Sequence, residues 1–145
     1  MFTVQLLTHP AEPDDYYEFR WRYLLGPWDQ PRGSERDESD SEATHITVRN
    51  EDGALIGVGR LHFNSEEEAQ IRYMATDESF RKRGVGKTMV LELEEIARSS
   101  GARKIVLNAR QEAIKFYERL GFSIVGKGPT VFGVIEHAVM EKHLV

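Results

Sequence analysis

Apolar and polar positions alternate in F-T-V-Q-L-L-T (2–8), the period of a strand with one covered face. Pro13-Asp14-Asp15 is a helix-start signal, with acidic residues where the helix dipole favours them. Tyr16, Phe19, Tyr23 and Leu24 follow at helical spacing, and Gly26-Pro27 ends that helix. Residues 27–42 are polar, rich in turn formers and close on an acidic run, E-R-D-E-S-D-S-E (35–42), which predicts a mobile, solvated loop with room for one irregular turn of helix. Strand patterns then return three times, at 43–50, 54–63 and 69–76, separated by turns at Asn50–Gly53 and Glu66–Glu68. A helical stripe of Val85, Met89, Leu93, Ile96 and Ala97 runs up to Ser99-Ser100-Gly101. K-I-V-L-N (104–108) is apolar enough for a buried strand, and Gln111–Leu120 predicts a helix stopped by Gly121. Two strands close the chain, at 122–126 and 134–142, with an unpatterned connection at 127–135. The order β-α-loop-β-β-β-α-β-α-β-β predicts an α/β fold (α+β) with a mixed, mainly antiparallel sheet.

Composition narrows the class. The 145 residues suit a single domain spanning 1–145, since neither a repeat nor a linker interrupts them. A net charge of −5 argues against a nucleic-acid or anionic-membrane binder. The absence of cysteine excludes thiolate metal sites and covalent cysteine catalysis. The N-terminus lacks the basic start and apolar run of a signal peptide, and no stretch approaches the roughly 20 apolar residues of a membrane span. A cytoplasmic location is the expectation.

R-K-R-G-V-G-K-T (81–88) carries the chemistry. It ends like an ATP-binding loop, G-x-x-x-x-G-K-[ST], but Arg81 stands where the leading glycine belongs. The dinucleotide pattern G-x-G-x-x-G fails at Met89. What survives is a strand, a turn through small residues, and a helix N-terminus whose unpaired N–H groups can hold an anion. Gly84 and Gly86 leave the backbone open to close approach, with Arg81, Arg83 and Lys87 around it.

In that context Arg81-x-x-Gly84-x-Gly86 matches [QR]-x-x-G-x-[GA], the signature of the Gcn5-related N-acetyltransferases, the GNAT superfamily. A-I-K-F-Y-E-R-L-G-F (113–122) resembles the family's second marker. I-R-Y-M-A (71–75), L-N-A-R (107–110) and I-E-H-A-V-M-E-K (135–142) are most similar to the ElaA-type bacterial members. The resemblance covers about residues 43–143, and two positions depart from the pattern: Glu78 replaces a loop proline, and Arg110 replaces an asparagine.

The resemblance implies a six- to seven-stranded sheet flanked by about four helices, and acetyl-CoA as co-substrate without a metal. It implies acyl-donor contacts from Met74, Ala75, Thr76, Arg81, Lys82, Arg83, Gly84, Val85, Gly86, Lys87, Thr88, Asn108, Phe116 and Tyr117. The backbone N–H near Met74 would polarise the carbonyl, and Tyr117 would be the general acid. For the base, His62 and His137 lead, with His45 and Glu136 also on strands. Alternation places His62 on the face of Arg60, and Arg72 on the face of Met74. The acceptor would be a small amine or an exposed amino group, acetylated directly in a ternary complex by a monomer or homodimer. The acidic run offers one way to draw a cationic amine to the cleft. Two rivals stand beside this reading: a non-catalytic acyl-CoA-binding module, and an ATP-dependent phosphotransferase using Gly86-Lys87-Thr88.

Overall fold

The computed structural model describes residues 2–7 and 15–144. The expected Pro13-Asp14 helix start and Thr8 fall outside the described residues. Seven strands form one sheet: β1 (Phe2–Leu7), β2 (Thr44–Asn50), β3 (Leu55–Phe63), β4 (Glu68–Thr76), β5 (Lys104–Arg110), β6 (Ser123–Val131) and β7 (Ile135–His143). Their order across the sheet is β1-β2-β3-β4-β5-β7-β6. Among the described residues only the β4–β5 pair is parallel. Among the described residues there are three α-helices, α1 (Asp15–Leu24), α2 (Val85–Ser99) and α3 (Ile114–Arg119), against an expectation of about four.

Segment 27–42 has the irregular helical turn that was expected, but its acidic half is packed into the fold and not solvated. It folds through short 3₁₀ turns at Gly26–Trp28 and Glu38–Ser41. Asp37 and Asp40 close the second turn reciprocally: the Asp37 carboxylate accepts from the Ser39 N–H, and that of Asp40 from the Asp37 N–H. Glu35 and Asp40 are buried, which no solvated loop would tolerate without partners. The C-terminal connection is corrected too. β6 runs on to Val131, and Pro129 is accommodated because β6 is an edge strand.

The core lies between the sheet and α2. Val85, Met89, Leu93 and Ala97 are fully or almost fully buried, packed with Ile46, Ile56, Ile105, Leu107 and Met140. Full burial of each large apolar side chain contributes about 1.5–3 kcal/mol. On the opposite face α1 inserts Tyr16, Tyr17 and Phe19 against Val58. The helix α3 is short, its first turn being 3₁₀ at Gln111–Ala113. It ends in a Schellman motif: the Gly121 N–H donates to the Glu118 carbonyl, and the Phe122 N–H to that of Tyr117, with Gly121 at φ 97°. Lys142 on β7 donates to the Leu120 carbonyl at 2.8 Å and to Glu94 of α2 at 2.7 Å, tying α3 to its neighbours.

Candidate active site

β4 and β5 pair only from Glu68–Lys104 to Gln70–Val106. Beyond Gln70 the strands part, and the β4 edge no longer bonds to β5. A bulge sharpens the divergence. Val58 faces Ala75 and Arg60 faces Arg72, so Tyr73 and Met74 together oppose Gly59. Tyr73 adopts φ 57°, a left-handed conformation costly for an aromatic residue. Glycine is required opposite: a Cβ on Gly59 would meet the Met74 sulfur at 2.5 Å. The bulge overturns the alternation expected between Arg72 and Met74. Met74 packs with the α2 core, whereas Arg72 lies on the other face beside the Tyr73 ring.

The split opens into a cavity of about 500 Å³. Met74, Ala113 and Tyr117 line it, as do Arg72, Tyr73, Asn108, Arg110 and His137. Tyr117 is almost entirely buried, stacked edge-on to Phe116 and Phe122, and its hydroxyl has no hydrogen-bond partner among the described residues. Burial pushes its pKa up to about 12, so it is protonated at neutral pH.

The two leading histidines differ in their surroundings. His62 is outside the cavity lining, and both of its nitrogens are engaged. Arg60 donates to Nδ1 at 3.1 Å, so Nε2 carries the proton and donates to Asn64 at 3.2 Å. Burial and then Arg60 hold its pKa below the ordinary value. His137 lines the cavity, and its Nδ1 faces the carbonyls of Pro129 and Ile135 at 3.1 and 3.0 Å. Carbonyls only accept, so Nδ1 bears the proton and Nε2 keeps a lone pair. His45 is fully buried, donating from Nε2 to the Asp40 carbonyl and accepting from the Tyr16 hydroxyl at Nδ1, 2.6 Å away. Glu136 is exposed on β7 and outside the cavity lining.

The loop 81–84 leads from β4 into α2. Gly84 caps the helix at φ 86° without a side-chain cap, and a Cβ there would meet nothing within 4 Å. Among the described residues, nothing accepts from the N–H groups of Lys82, Gly84, Val85, Gly86 or Lys87. Arg81, Lys82, Arg83 and Lys87 are exposed around them, whereas the Val85 side chain is in the core. Gly86 has a second reason to be glycine, since its Cβ would lie 3.2 Å from the Phe116 ring. Thr76 sits beside Gly86, and Ala75 packs towards α1.

Against this geometry, the profile of the Acetyltransferase (GNAT) family matches residues 13–122. The chain belongs to that family. It is an acyltransferase, as the GNAT match and its N-acetyltransferase relatives indicate. Two such relatives come from Bacillus subtilis (strain 168). The uncharacterized N-acetyltransferase YjcF is 29% identical over 129 residues, covering 88% of this chain and 90% of the relative. The uncharacterized N-acetyltransferase YitI is 30% identical over 138 residues, covering 90% and 91%. Among solved structures, Escherichia coli ElaA superposes with a TM-score of 0.80 over 99% of this chain and 100% of its own, at 19% identity, a likeness of fold. GNAT membership implies an acyl-CoA co-substrate and an amine acceptor. Among the described residues no helix is long and apolar enough to cross a membrane.

Sequence reasoning missed a buried ionic cluster on the α1 face. Arg20 and Arg60 have fully buried side chains and share Asp40 Oδ1 at 2.9 and 3.0 Å. Asp37 bridges Arg60 and Arg72, the latter at 3.3 Å. The guanidiniums of Arg20, Arg60 and Arg72 lie 4.1, 4.9 and 4.7 Å from the Tyr73 ring centre and fix the bulged residue. Burial raises the pKa of Asp40, but Arg20, the Asp37 N–H and Arg60 outweigh it and hold the carboxyl below the usual range. A signal did exist: Arg60 interrupts an apolar strand, and Arg20 shares a helix face with Tyr16, so each required a partner.

Proposed function

We propose that this GNAT protein is an acetyl-CoA-dependent N-acetyltransferase that moves acetyl directly to a primary amine within a ternary complex. The observation that supports it best is the Tyr117 hydroxyl, buried, protonated and without a partner, in the wall of a cleft between two parting strands. The residues at the mouth of α2 fit a diphosphate: several unpaired N–H groups, a glycine cap with open space above it, and basic side chains at the rim. Bound acetyl-CoA supplies an acyl thioester, whose C–S bond is exchanged for a C–N bond.

The chain's own residues do the rest. The β4 edge around Met74, freed from β5, offers backbone donors to the acyl carbonyl. Tyr117 holds the proton that a thiolate leaving group needs. His137, with its Nε2 lone pair free, is a better base than His62, whose nitrogens are both committed. Direct transfer fits a chain with no cysteine to carry an acyl group.

Tyr117→Phe tests the reading. Thiol release from acetyl-CoA, followed with a panel of amines, should fall about 100-fold or more in kcat, the usual scale for losing an acid. Calorimetry should show acetyl-CoA affinity unchanged within about twofold, because only the hydroxyl is lost. Equal turnover in Tyr117→Phe refutes the assignment of the acid. Acetyl-CoA binding with no turnover on any amine would instead favour a sensing module.

A further inference from the structure

The chain carries a net charge of −5, yet the cleft that Tyr117 lines has arginines in its wall. Arg72 and Arg110 line the cavity together with His137, Ser34, Gln70 and Asn108. Among the described residues no aspartate or glutamate lines it. Within the acidic run 35–42, Glu35, Asp37 and Asp40 are claimed by arginines, while Glu38 and Glu42 stay exposed. Asp37 and Asp40 serve Arg20, Arg60 and Arg72, so three guanidiniums share two carboxylates, and Glu35 pairs with Arg36.

Arg110 stands out most. It follows the buried Ala109 at the end of β5, opposite His137 in the β5–β7 ladder, and is half-buried. Its guanidinium has no hydrogen bond or ion pair among the described residues. A guanidinium that is partly desolvated, unpaired and facing a cavity is a ready receptor for a planar or tetrahedral anion. A polyamine or basic peptide would instead place its charges against Arg110 without compensation, since Arg72 alone has a carboxylate, Asp37, beside it.

We propose that the acceptor amine carries its own anionic group, a carboxylate or a phosphate, which Arg110 receives with Arg72 beside it. The proposal rests on the N-acetyltransferase reading above and specifies its substrate class. The same positive surroundings disfavour the ammonium form of the bound amine, which eases the task of the base.

Matched acceptors test it: an amino acid against its methyl ester, and an amino-sugar phosphate against the free amino sugar, each assayed by thiol release from acetyl-CoA. The anionic member of one pair should be preferred in kcat/KM by about 10- to 100-fold, the scale of a charge-assisted bond. The preferred pair identifies carboxylate or phosphate. Arg110→Gln should erase the preference mainly through KM, and Arg110→Lys should keep part of it; a thermal melt of each variant shows that it is folded. Neutral members used equally well, or a preference that survives Arg110→Gln, overturns the proposal. If no amine supports thiol release, the transferase reading fails by itself. Calorimetry with an N-acetylated amino acid and an N-acetylated amino-sugar phosphate then decides the anion site. Binding weakened about tenfold by Arg110→Gln upholds it, and binding absent or unaffected overturns it.

Discussion

Asp40, outside the cleft, holds two buried guanidiniums at once. Its Oδ1 accepts from Arg20 at 2.9 Å and from Arg60 at 3.0 Å, and its Oδ2 from the Asp37 N–H at 2.8 Å. Both guanidinium side chains are inaccessible to solvent. In Asp40→Ala they keep the Glu35 carbonyl, the Tyr16 hydroxyl, His62 Nδ1 and the partly exposed Asp37, of which only Asp37 is a carboxylate. Breaking a buried ion pair from one side costs about 3–5 kcal/mol. For a chain of 145 residues, unfolding entropy near 2.1 cal/mol/K per residue converts this to a fall in Tm of roughly 10–16 °C. Asp40→Asn keeps the shape and one acceptor oxygen, so it should fall in between. Thermal melts and urea titrations at neutral pH measure both. The pH dependence supplies a second check. The folded Asp40 carboxyl lies below its unfolded value, so its contribution is complete above about pH 4 and fades as pH falls through the folded value. The difference between wild type and Asp40→Ala should therefore shrink below about pH 4. An alanine variant melting within about 2 °C of wild type, or a gap that widens in acid, refutes the reasoning.

Other perturbations probe separate parts of the fold. Gly84→Ala places a Cβ at φ 86°, which costs about 1–2 kcal/mol even though it touches nothing; urea unfolding should register that loss, and calorimetry a weaker grip on acetyl-CoA. Unchanged stability and affinity together would mean that the left-handed cap is dispensable. His45 is kept neutral by burial first, its folded pKa depressed, so its stabilising contribution is whole above about pH 6.5 and declines as pH falls from there. Chemical unfolding of His45→Gln between pH 7 and 5 should show a flatter slope, with His62 supplying what remains, and an identical slope would exclude the assignment.

The recognisable parts of the molecule are those written in neighbouring residues. The order of strands and helices follows from periods of two and of 3.6, and α2 buries Val85, Met89, Leu93 and Ala97 as its stripe requires. Gly121 stops α3 where a left-handed residue is needed, and Gly84 marks the loop into α2. The family markers lie in these same stretches because both depend on local backbone geometry. Tyr117 could thus be singled out as a candidate before any fold was known.

Other features arise only when distant residues meet. The bulge that separates Met74 from Arg72 depends on Gly59 across the ladder, and strict alternation along β4 could not anticipate it. The acidic run resembled an ordinary solvated loop because its partners, Arg20 and Arg60, lie outside it on α1 and β3. His62 and His137 looked equivalent along the chain, and only their hydrogen-bond neighbours and the cavity wall tell them apart. Periodicity and capping are short-range properties of the backbone, whereas the sign of the charge facing a cleft depends on which carboxylates have already been claimed elsewhere. That allocation is made by packing, once the sheet has closed.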